Sequence, residues 1–96
     1  MAASRPRTIT FAISGPLARS DLPALYERVC ALLRGAAAEV AVCDVTGVAA
    51  DAVTVDALAR LQLAARRHSC QIQLQHASAD LRALIAFMGL QDVLPG

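Results

Sequence analysis

The sequence predicts an α/β fold, a small sandwich with mostly parallel strands. Three observations predict it. Stretches with strand periodicity and stretches with helix periodicity alternate three times along the chain. The middle strand, EVAVCDV, is a near-continuous Val-rich run, as expected of a central strand covered on both faces or enclosed between neighbours. The 96 residues are 56% hydrophobic and 18% charged, enough to build one core and no more than one domain. Aromatics are only 3%, so that core must come from Leu, Val, Ile and Ala.

Residues 1–6 read as a loose polar arm, and residues 7–96 as the single domain. Arg7 to Ile13 alternates, with Ile9, Phe11 and Ile13 on one side, a half-buried strand that Ser14–Gly15–Pro16 ends. Ser20 is the expected cap of the first helix, with Asp21 in its first turn and Pro23 tolerated early. Leu22, Leu25, Tyr26, Val29, Leu32 and Leu33 form its apolar stripe, and Gly35 is expected to close it. The central strand covers Glu39 to Val45, ends near Asp44, and turns at Thr46–Gly47. The second helix starts between Asp51 and Thr54. Val55, Leu58, Leu61 and Ala65 share its inner face, with Ala57 and Ala64 beside them. Asp56, Arg60 and Arg67 lie opposite, and Asp56 with Arg60 makes a favourable i, i+4 pair. Gln71 to Gln75 alternates strictly, with Ile72 and Leu74 inward. Ser78 caps a third helix with Asp80 in its first turn, Leu81, Leu84, Ile85 and Met88 in its stripe, and Gly89 at its end. Leu90, Val93 and Leu94 fold back on the core.

Charge and composition exclude several classes. Net charge is +1, and all nine basic residues are Arg, spread too thinly for a nucleic-acid face. The longest apolar region, Ala36 to Val53, is interrupted by Glu39, Asp44 and Asp51, so no membrane insertion is expected. MAASRPR does not lead into a secretory signal. Cys30, Cys43 and Cys70 are odd in number and widely spaced, without a CxxC pair. They read as small buried hydrophobes in a reducing cytoplasm, and no metal site or cofactor is expected.

The chemistry-bearing candidates are few. Asp44 and Asp51 flank one loop, and paired carboxylates can do acid–base work or hold Mg²⁺. The plainer reading is a strand-end Asp bonding a turn amide and a helix N-cap. Thr54 is either a phosphoacceptor or a capping hydroxyl. His68 stands near a helix C-terminus and His76 follows a strand, neither with triad partners at motif spacing. The glycines make no P-loop or dinucleotide fingerprint. The loop from Val48 to Val53, which delivers the chain to the start of the second helix around Asp51 and Thr54, is the expected working surface, since unpaired N–H groups and a partial positive charge suit a phosphate or an acidic partner.

From Val42 to Leu63 the pattern resembles a STAS domain, the family of bacterial anti-sigma factor antagonists. The matching pieces are VAVCDVTGV, then ADAVTVDALARLQLAARR, then IQLQHAS, and the closing LRALIAFMGLQDVL, together spanning about Ile9 to Leu94. The resemblance implies a small mixed or mostly parallel sheet with helices packed on one side. It implies a protein-binding domain without turnover, working in partner switching and transcription regulation. In the family the Asp at the helix start precedes a Ser or Thr that a partner kinase phosphorylates, then a small residue and Gly. Here Ala52 and Val53 follow Asp51, and Thr54 stands at the Gly position. The usual phosphorylation switch is therefore expected to be missing, unless Thr54 has taken it over. The implied docking surface is Asp51, Ala52, Val53, Thr54, Asp56 and Arg60. The implied partner is an anti-sigma factor of serine-kinase type or, alternatively, the ATPase of a phospholipid-transport ABC complex. Monomer and homodimer are both compatible with it.

Overall fold

A computed structural model describes residues 7–94; the expected arm at residues 1–6 lies outside them. The strands are β1 (Thr8–Gly15), β2 (Val40–Val48) and β3 (Gln71–Gln75), and the helices are α1 (Leu22–Ala36), α2 (Ala52–Arg67) and α3 (Ala79–Phe87). A single 3₁₀ turn, Arg19–Asp21, precedes α1. The sheet order is β1-β2-β3, and both pairings are parallel.

That order explains why the helices share one face. The strands advance across the sheet in sequence, and right-handed crossovers then carry α1 and α2 over the same side. Burial follows. Ile13, Ala41, Cys43, Val45, Ile72 and Leu74 point into the core. The alternate residues, such as Thr10, Gln73 and Gln75, are exposed. Val40 and Val42 are half-buried on that open face, so β2 is enclosed by its neighbours and not covered on both faces. None of the described helices is long and apolar enough to cross a membrane.

Several local expectations are corrected. Ser20 is no cap: the chain enters α1 through the 3₁₀ turn, and the Asp21 carboxylate instead accepts the Ala18 N–H at 3.0 Å. Leu32 is exposed, because the six-residue stripe is wider than the arc the sheet covers. Gly35 lies inside α1, which runs on to Ala36, and Ala37 takes the left-handed C-cap with φ 48°. Thr46–Gly47 is no turn. Asp44 pairs with Ala12 and Gly47 with Ser14, so β2 holds one extra residue in a bulge and continues to Val48. Met88 is exposed as the C-cap of α3, and Gly89 follows with φ 73°. Cys30 is half-buried, unlike the buried Cys43 and Cys70.

One buried polar residue shares the inner face of α2, at i+7 from Val55 and i+4 from Leu58. Gln62 is 0% exposed in the middle of α2. Its amide N–H₂ donates to the Ile72 and Val93 carbonyls, both at 2.9 Å, and its oxygen accepts the Ile72 N–H at 2.8 Å. Ile72 turns both backbone groups away from β2, at the outer edge of the sheet. Gln62 occupies the place a fourth strand would take there, and it ties the C-terminal tail to α2.

Candidate functional site

The site candidates converge on the end of the sheet where β2 and β3 finish and α2 begins. Asp51 is the N-cap of α2, with extended backbone at φ −134°. Its carboxylate accepts the Thr54 N–H at 2.8 Å, and its carbonyl accepts the Val55 N–H at 3.1 Å. Asp was legible as a cap because a short side-chain acceptor before an apolar-periodic run satisfies an orphan amide. Asp51 is half-buried at the surface, at the very start of the helix. Ala52 is exposed, Val53 is half-buried against the core, and Asp56 and Arg60 face outward with Arg60 Nε donating to Asp56 Oδ2 at 3.0 Å. That ion pair is exposed and contributes about 0.4 kcal/mol.

Thr54 departs from its expected place on the exposed side of α2. It is 0% exposed. At the third helical position its side chain turns under the first turn toward the core, alongside Val55. Its hydroxyl lies near the Asp51 carboxylate without reaching hydrogen-bond geometry, and is buried without a partner. The accessible side chains around the start of α2 are therefore Asp51, Ala52, Val53, Asp56 and Arg60, and not the Thr54 hydroxyl.

Asp44 ends its regular pairing at the bulge. Its carboxylate accepts both the Thr46 N–H, at 3.0 Å, and the Thr46 hydroxyl. The fold also brings His76 to it, with Nδ1 3.4 Å from Oδ1, although 32 residues separate the two. His76 sits just past β3 with φ 62°. No local spacing could have revealed that pair, because it arises from the parallel register of β2 and β3. His68 is the C-cap of α2 and exposed. Asp44 and Asp51 are each bonded within their own turn and not to each other. Among the described residues no group of three His, Cys, Asp or Glu is placed to hold a metal ion.

The electrostatics follow these bonds. The Thr46 hydroxyl, then its amide, hold Asp44 below the usual carboxylate range. The Thr54 amide does the same for Asp51. Burial, and then the neighbouring Asp44, push the Cys43 thiol up to about 12, so it is inert at neutral pH. For both aspartates the folded state favours the charged form. Their contribution to stability is complete above the unfolded carboxylate range, about 4, and is lost as pH falls through the lower folded values. Thermal melts between about pH 6 and about pH 2 should therefore show falling stability. Asp51→Asn, which keeps the cap bond without the charge, should flatten that fall; an unchanged pH profile in Asp51→Asn and Asp44→Asn would refute the assignment.

A family model described as Mlab, STAS domain matches residues 1–95. No curated protein matches the chain significantly.

Proposed function

The chain belongs to the STAS domain family, whose model covers residues 1–95, and on that premise we propose that it is a non-catalytic docking subunit gripped at the start of α2. The observation that carries this reading is the surface composition there. An exposed Ala52 and a half-exposed Asp51 cap lead onto the outward Asp56–Arg60 pair, while the nearest hydroxyl, Thr54, is buried. The accessible positions from Ala49 to Val53 carry no hydroxyl, which supports a helix start without the usual Ser or Thr acceptor. A phosphoryl group would add close to two negative charges there and repel a partner seated on it. Without an acceptor the protein binds constitutively. The partner in this reading is an anti-sigma factor of serine-kinase type, and the setting is the cytoplasm.

A second reading is a STAS subunit seated on the ATPase of a phospholipid-transport ABC complex. The missing acceptor favours it, because a permanently assembled subunit needs no phosphorylation switch. Affinity capture of the tagged chain from its native lysate, with mass spectrometry of stoichiometric partners, separates the two. An anti-sigma kinase supports the first, an ABC ATPase subunit supports the second, and recovery of neither sinks both. Incubation with the captured kinase and ATP should leave Thr54 unmodified. Stoichiometric phosphate on Thr54 would overturn the claim that the switch is absent.

A further inference from the structure

Besides its core stripe, α2 carries a second stripe on its outer side. Arg60, Leu63, Ala64 and Arg67 stand at i, i+3, i+4 and i+7, hence on one helical face. With Tyr26 and Cys30 of α1 they line a groove of about 380 Å³ between the two helices. Its middle is apolar, and Leu63, 55% exposed, is the most exposed leucine among the described residues. An arginine stands at each end, Arg60 and Arg67, two turns apart and about 10 Å along the axis. Arg60 shares its charge with Asp56, but Arg67 makes no ion pair among the described residues. No carboxylate lines the groove. The Tyr26 hydroxyl beneath it is buried without a hydrogen-bond partner.

We infer that this groove receives an amphipathic helix of the partner protein, carrying two carboxylates two turns apart on either side of a leucine-sized side chain. The inference rests on the reading that α2 is the gripped helix, and it names what the partner brings. Charge complementarity selects this occupant. A second copy of the chain does not supply it, since α1, α2 and α3 each hold one carboxylate, Glu27, Asp56 and Asp80. Two arginines around an apolar floor, one already paired with Asp56, also fit a side-chain ridge better than a nucleic-acid backbone, which demands a continuous basic track.

The test is an amide-resolved NMR titration of the full chain with two synthetic helical peptides of about 18 residues. One carries Glu at i and i+7 around a Leu; the other carries Lys at the same places. The acidic peptide should shift the Cys30, Leu63, Ala64 and Arg67 amides. Arg67→Glu and Leu63→Asp should each weaken it about tenfold or more, and Arg67→Glu should move the preference toward the Lys peptide. Both variants should melt like the parent, because both side chains are exposed. Equal response to the two peptides, shifts confined to other surfaces, or no shift at all would overturn the inference. So would a dimer in sedimentation that Leu63→Asp dissolves, since the occupant would then be a second copy. If the captured natural partner is lost with Ala52→Asp but kept with Arg67→Glu, the groove fails while the docking reading stands.

Discussion

Gln62→Ala is expected to lower the unfolding free energy by about 3 kcal/mol, a large part of what a domain of this size possesses. The side chain is fully buried, and its three hydrogen bonds join α2, the outer edge of β3 and the tail at Val93. Removing it leaves the Ile72 N–H, the Ile72 carbonyl and the Val93 carbonyl without partners, and opens a cavity besides. Chemical denaturation followed by circular dichroism measures the loss. Gln62→Glu gives an independent check. It keeps an acceptor for the Ile72 N–H but faces two carbonyls without a donor. That variant should be markedly unstable at neutral pH and should recover in mild acid, where the protonated carboxyl donates again. A Gln62→Ala protein as stable as the parent would mean the edge of β3 is satisfied in some other way.

The second large effect concerns binding and leaves the fold intact. Ala52→Asp should weaken the captured partner's affinity on the order of a hundredfold. Ala52 is exposed at the first helical position, beside the Asp51 cap. A carboxylate there imitates part of the charge that a phosphoryl group would bring. The same charge sits at the positive end of the α2 dipole, which is favourable, so the melting temperature should hold or rise slightly. Surface plasmon resonance for affinity and a thermal melt for stability, run on one preparation, separate the two effects. Undiminished affinity would move the docking surface away from the start of α2.

Helices and strands with one exposed face were legible from local order. The Gln71–Gln75 alternation matched β3 at both ends, and Ser78 caps α3 by accepting the Leu81 N–H at 3.1 Å. Asp51 and the Asp56–Arg60 pair were legible for the same reason, since a cap and an i, i+4 contact span only a few residues. Judging by residue type failed where a polar side chain stands on a buried helical face. Thr54 reads as a surface hydroxyl by type, but it stands at i−4 from Leu58 and i−7 from Leu61, and that inner-face position decides that it is buried. Gln62 falls on the inner face of α2 by spacing, but only the tertiary structure shows that it lies over an outer strand whose backbone needs the donor and acceptor an amide offers.

The alternation of periods, the capping side chains and the aliphatic supply settled by themselves that three strands and three helices form around one core. Those features act within a turn or a strand, so the chain carries them wherever it goes. The parallel register decided the rest: it set Asp44 beside His76, brought Gln62 to the edge of β3, and opened the groove between α1 and α2. Contacts between residues distant in the chain exist only once crossovers have fixed which element lies next to which, and no local pattern encodes that arrangement.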